Sequence, residues 1–100
     1  MRASVRKFYN YVARQGCLRC GSRPVQVAHI RGFVSLKTGE FLPRRQGIAE
    51  LSAIPLCPSC HTDAPDSIHN VGERVFFEGL GRPEGWVFAY LARSIAEALA

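Results

Sequence analysis

The sequence contains no apolar run of membrane-spanning length, no internal repeat and no low-complexity tract. The first absence excludes a helix of the roughly 20 apolar residues that a bilayer requires. The second excludes a repeat array, and the third a compositionally biased disordered segment. The opening Met1-Arg2-Ala3-Ser4-Val5-Arg6-Lys7 is positively charged but has no apolar core behind it, so a secretory signal is not expected and a cytoplasmic location is. Acidic residues are in short supply: eight Asp and Glu stand against 13 Lys and Arg, for a net charge of +5 and a pI of about 9.4. That imbalance suits a polyanionic partner, most simply nucleic acid. There is also little length. One hundred residues are expected to form a single domain, 1–100, whose thin core a metal staple would reinforce. A hydrophobic fraction of 47% and a mean hydropathy of -0.02 mark the chain as globular.

Cysteine is what the chain does have. Cys17-Leu18-Arg19-Cys20 and Cys57-Pro58-Ser59-Cys60 form two C-x2-C pairs, which can surround one tetrahedral Zn²⁺. Without an export signal the thiols are expected to stay reduced, which favours metal; a two-disulfide module is the alternative. The 36 residues between Cys20 and Cys57 exceed the usual zinc-ribbon gap, so the ion would hold the base of a larger insert. Four thiolates fill the coordination shell and leave no open position, so this zinc would be structural. Any chemistry must come from other residues.

The elements follow from periodicity. Ser4 can cap a helix over about 4–15, with Val5, Phe8, Tyr9 and Val12 on one face and Gly16 as a stop. Val25 to Ile30 reads as a strand, with Val25, Val27 and His29 on one face and Gln26, Ala28 and Ile30 on the other. Residues 31–47 read as a long irregular segment broken by Gly32, Gly39, Pro43 and Gly47. This segment carries Arg31, Lys37, Arg44 and Arg45 against one acid, Glu40, and is expected to face a nucleic-acid substrate; an insertion without a role is the alternative. Ile54-Pro55-Leu56 reads as extended. Pro58 can open a helix that Asp63-Ala64-Pro65-Asp66 then interrupts. Residues 67–77 look helical, with Ile68, Val71, Val75 and Phe76 apolar and Gly72 interrupting. A last helix over about 84–99 has Phe88, Leu91, Ala92, Ile95 and Leu99 at helical spacing, and the aromatic group Trp86, Phe88 and Tyr90 reads as core.

Three histidines are candidates for the chemistry. His29 ends a strand, His61 follows Cys60 directly, and His69 lies eight residues further on. An unbroken helix would set His61 and His69 about 12 Å apart, too far to share an ion, so Pro65 must bend the segment if both are ligands.

Taken in order, Cys17-Leu18-Arg19-Cys20-Gly21, Val27-Ala28-His29-Ile30-Arg31, Ile54-Pro55-Leu56-Cys57-Pro58-Ser59-Cys60-His61 and His69-Asn70-Val71-Gly72-Glu73 resemble the HNH nucleases, nearest to the phage-type recombination branch. The resemblance covers about residues 17–80. It implies an α+β fold: a zinc-stapled ββα-metal finger, here with an N-terminal helix and C-terminal helices. By the same resemblance His29 is the general base, and His61 and His69 hold a catalytic divalent ion (Mg²⁺, Mn²⁺, Ni²⁺ or Zn²⁺). Cys17, Cys20, Cys57 and Cys60 are the structural zinc ligands. The implied partners are DNA, or RNA, and proteins of recombination, packaging or repair, in the host cytoplasm if the chain is phage-derived. The sequence departs from the family pattern in three places. Ala28 stands where many relatives have an acid or histidine, which leaves the metal two imidazoles plus water and phosphate unless Asp63 or Asp66 joins. Seven residues rather than three separate His61 from His69. No Asn occupies the middle motif position, where Glu50 and Ser52 lie.

The expected function is therefore hydrolysis of phosphodiester bonds in DNA. An imidazole with a pKa near ~6.5 is a competent base at neutral pH. A metal relieves the charge building on phosphate and leaving oxygen, and the basic segment holds the backbone without reading sequence. The alternatives are a non-catalytic zinc module binding nucleic acid or protein, and a zinc-stapled adaptor docking through its last helix.

Overall fold

A computed structural model describes residues 3–30, 32–34, 41–43, 51–83 and 85–100. Helix α1 spans Ala3–Ala13, and strands β1 (Gln26–His29), β2 (Gly32–Val34), β3 (Phe41–Pro43) and β4 (Ala53–Leu56) follow. A π-helical turn (Ser59–Asp63) comes next, then α2 (Ile68–Val71), α3 (Glu73–Glu78) and α4 (Trp86–Ala98). The chain is a small α+β structure built on a two-stranded antiparallel ladder. In it β1 pairs with β4, Gln26 opposite Leu56 and His29 opposite Ala53. Among the described residues no helix is long and apolar enough to cross a membrane.

The ladder has a core on each face. Val5, Phe8 and Val12 of α1 are buried, and Phe8 and Val12 pack with Ala53 and the flank of Val27. On the other face Ala28, Ile30, Ile54 and Leu56 join Cys17, Cys57, Cys60, Ile68, Phe76, Val87 and Leu91. All four residues of β4 are buried, because this strand lies between the two cores. Burying one such apolar side chain is worth about 1.5–3 kcal/mol. An exposed ion pair is worth about 0–1 kcal/mol, so burial and not surface charge holds α1 on the sheet.

Several expectations change at this level. The segment 31–47 is not wholly irregular. Its β2 and β3 pair antiparallel, Phe33 opposite Leu42, and the breakers Gly32 and Pro43 face each other at the end of that ladder, where a proline is tolerated. Arg31, Lys37, Arg44 and Arg45, expected to face nucleic acid, lie outside the described residues. Val75 is 47% exposed rather than apolar-face core, because Gly72 (φ 87) restarts the helix in a new phase that buries Phe76. On α4 the buried positions are Val87, Leu91 and Ser94, with Ala92 and Leu99 exposed; the side chain of Phe88 is outside the description. Trp86 and Tyr90 do join the core, their rings 5.4 Å apart.

Candidate metal centres

The first C-x2-C knuckle is a tight turn closed by main-chain bonds. Gly21 N–H donates to Cys17 O at 2.8 Å and Cys17 N–H to Ser22 O at 3.0 Å. A Cβ on Gly16 would stand 2.8 Å from Gly21 O, so only glycine fits ahead of Cys17. Leu18 N–H donates to Pro55 O at 2.8 Å, which pins the knuckle to β4 just before the second cysteine pair. There His61 N–H donates back to Cys57 O at 2.9 Å.

The four sulfurs therefore converge. Their atoms all lie within 4.8 Å of one another, with Cys20 Sγ 3.6 Å from Cys57 Sγ and 3.8 Å from Cys60 Sγ. A tetrahedron with arms of about 2.3 Å, the Zn–S length, has edges of about 3.8 Å. The donors and their spacing thus fit a metal ion, consistent with zinc, and no disulfide joins them. Cys17, Cys57 and Cys60 are buried while Cys20 is exposed. The Ser22 hydroxyl and main-chain N–H pull the Cys20 thiol down to about 6, and burial pushes Cys60 up to about 12.

Arg19, inside the first knuckle, extends the cluster outward. Its Nε donates to Cys60 Sγ at 3.3 Å, and its guanidinium donates to Asp66 O at 2.9 Å and Asp66 Oδ1 at 3.2 Å. The same guanidinium lies over the Phe76 ring, 4.8 Å from its centroid. One side chain thereby ties the sulfur cluster to the loop that separates the two later histidines.

That loop folds back. The π-helical turn ends at Asp63, Ala64 is extended (ψ 150), and Ser67 restarts the chain, its buried hydroxyl accepting from Asn70 N–H at 3.3 Å as an N-cap. Asn70 Nδ2 donates to Thr62 O at 3.2 Å and Ala64 O at 2.8 Å, clasping α2 against the turn. As a result the rings of His61 and His69 meet edge to face, their centroids 4.7 Å apart. Gln26 Oε1 of β1 accepts from His61 Nδ1–H at 2.6 Å, which directs the lone pair to Nε2. A carbonyl partner of this kind commonly orients a metal-binding imidazole. Burial, then the neighbouring His69, lowers the pKa of His61 and favours the neutral ring that a ligand must be.

The remaining candidates lie elsewhere. Neither acid offered as a substitute ligand joins the imidazoles as a cluster of three donors; among the described residues the four cysteines are the sole such cluster. Asp63 accepts from the Thr62 hydroxyl at 2.8 Å and Asp66 is held by Arg19. His29 is three residues from Gln26 on β1, so the two side chains project to opposite faces, about 10 Å apart along the strand. His29 faces α1, where its Nε2 lies 2.8 Å from the Tyr9 hydroxyl and its ring stands edge-on to Tyr9. Ser52 is buried, its carbonyl accepting from Ile30 N–H, and Glu50 is outside the described residues. Sequence reasoning passed over Tyr9, Arg19, Gln26 and Asn70. A cation between two cysteines, facing the acids at 63 and 66, was the one available signal; the others occupy positions that no motif marks. No protein-family model, no curated protein and no solved structure matches the chain.

Proposed function

We propose that this chain is a zinc-stapled, metal-dependent nuclease of ββα-metal type that hydrolyses phosphodiester bonds of DNA. His61 and His69 hold a catalytic divalent ion and His29 is the general base. The observation that carries the reading is the approach of His61 to His69, 4.7 Å between ring centroids despite the residues that separate them. The order of elements supports it: an antiparallel strand pair, β1 and β4, leads directly into a helical turn that bears Cys60 and His61.

In this reading the sulfur cluster has no catalytic part. It anchors the turn, and Arg19 carries that rigidity into the 64–67 loop. Gln26 keeps His61 Nδ1 protonated and its Nε2 available. A divalent ion on the two imidazoles would neutralise charge developing on the phosphate and the leaving oxygen. His29, oriented by Tyr9, takes the proton from the attacking water.

A second reading, a zinc module that binds nucleic acid without turnover, is favoured by one observation. His29 sits on the α1 side of the sheet, whereas Gln26 and His61 lie on the other. Plasmid nicking separates the two. Zinc-loaded protein is incubated with supercoiled DNA and Mg²⁺, Mn²⁺, Ni²⁺ or Zn²⁺, beside His29→Ala and His61→Ala. The nuclease reading expects nicking with at least one ion, a loss on the order of 10²-fold in His29→Ala, the usual size of a general-base contribution, and a comparable or larger loss in His61→Ala, which removes a ligand of the ion. No nicking above the His29→Ala control with any ion overturns it; salt-dependent binding without turnover then supports the second reading.

A further inference from the structure

Charge is divided unevenly along the chain. Residues 1–39 hold eight of the 13 Lys and Arg and none of the eight acids, so the remainder carries a net negative charge. The first element, α1, shows what this does to the surface. Val5, Phe8 and Val12 are buried at 2%, 0% and 1% exposure. At 100° per residue, Arg6, Lys7 and Asn10 fall on the arc opposite that stripe, and Arg14, in the turn directly after Ala13, continues it; all four are exposed. Arg6, Asn10 and Arg14 form one row at four-residue spacing. Its length is about 12 Å, or three to four base-pair steps of a DNA strand.

Three cations elsewhere are engaged by other side chains, and Arg23 and Arg93, which have no ion pair among the described residues, stand singly rather than in a row. Arg19 is paired with Asp66, Arg74 with Glu78, and Arg82 lies over Trp86 at 5.0 Å. Among the described residues Arg6, Lys7 and Arg14 form no ion pair. Glu97 of α4, the acid that touches α1, accepts from the Tyr11 hydroxyl. Tyr9, one turn from Arg6 on the same helix, reaches His29.

We propose that the exposed face of α1 docks the phosphate backbone of nucleic acid through Arg6, Lys7 and Arg14, with Asn10 as an uncharged donor, and so guides a strand toward the His29 end of β1. The docking itself stands on charge and placement; only its direction toward His29 rests on the nuclease reading. An anionic membrane fits this helix poorly. A helix that lies in a bilayer interface inserts an apolar face, and the apolar face of α1 is occupied by the core. What α1 offers is a face of cations and one amide whose only apolar members are the small Ala3 and Ala13, the pattern that phosphate contacts use.

The test is the salt dependence of binding, read by fluorescence anisotropy on a labelled DNA duplex without added divalent metal. Arg6→Gln/Lys7→Gln/Arg14→Gln is compared with Arg74→Gln/Arg82→Gln/Arg93→Gln, which removes the same charge from the other half of the chain. Glutamine is a good helix former, so α1 is retained; circular dichroism and zinc content equal to wild type verify this. Three lost phosphate contacts predict a slope of log Kd against log salt reduced by about 2 to 3, and affinity lower by at least about tenfold at low salt. The control triple should change the slope by less than about 1. Equal losses in the two triples, or none in the α1 triple, overturn the docking face. So does wild-type affinity for phosphatidylserine vesicles that exceeds its affinity for DNA. The nicking assay is independent: α1-dependent binding without nicking leaves this proposal standing and removes the nuclease, and nicking without α1-dependent binding does the reverse.

Discussion

The sulfur cluster and the imidazole pair are neighbours, joined at the Cys60–His61 peptide, yet they are held in different ways. The sulfurs meet because short turns and the β1–β4 ladder bring them together. Each knuckle closes on its own main chain, and Leu18 N–H bonds Pro55 O across the gap. Cys17, Cys57 and Cys60 are buried in the larger core. The imidazoles meet only because side chains fold a loop back: Asn70 clasps the turn, Ser67 caps α2, and Arg19 grips Asp66. His69 and Asn70 are themselves exposed. The first region is therefore a fixed base. The second is a peripheral assembly: His61 is fixed to that base by its own main chain, and the loop that brings His69 to it is tied to the base by one guanidinium.

This contrast can be broken at its stronger side first. Replacing Cys57 by Ser should release zinc and abolish a cooperative melt. A structural zinc site is worth about 10–16 kcal/mol, as much as the whole stability of a small domain. Retained near-native circular dichroism after metal loss would argue against the staple. Next comes the joint between the regions. Arg19→Ala removes bonds to a sulfur, a carbonyl and a carboxylate, with an expected cost of about 2 kcal/mol and a melting temperature lower by about 10 °C. Zinc should stay bound, while the His61 and His69 ring resonances in an NMR spectrum should move together as their contact loosens. An unchanged imidazole pair in Arg19→Ala would mean that the guanidinium does not couple the loop to the sulfur cluster. The smallest effect is expected at the outer edge. Gln26→Leu leaves the cluster untouched but frees His61 Nδ1, so affinity for a divalent ion at the imidazoles should fall about 10- to 100-fold, measured by titration with Co²⁺. Equal Co²⁺ affinity in the variant would separate Gln26 from the site.

The same division explains what could be read from the sequence. The two C-x2-C pairs imposed their meeting place in advance, because spacing of that kind is a local property of a turn. The buried face of α1 was equally plain in Val5, Phe8 and Val12, whose period is that of a helix. The bend between His61 and His69 was anticipated from Pro65, but what enforces it was not. Arg19 and Asp66 are 47 residues apart, and a cation between two cysteines is too slight a mark to pair it with one acid rather than another. The pairing of β2 with β3 was hidden because Gly32 and Pro43, which read as breakers, stand at the end of the ladder rather than inside it. Alternation had put His29 on the strand face away from Gln26, yet only Tyr9 shows where that face leads: to α1, on the side away from His61.

The central claim is two centres of different make in one small fold, a four-thiolate base and a two-imidazole site beside it. Titration of metal-free protein with Co²⁺, followed by absorption, tests it most directly. The prediction is two classes of bound ion in the wild type: a tight one with the intense sulfur-to-cobalt band of four thiolates, then a weaker one. In His61→Ala/His69→Ala the tight class should remain unaltered and the weaker one should vanish. A single class of ion in the wild type, or a thiolate band that changes when the histidines are removed, would contradict the account.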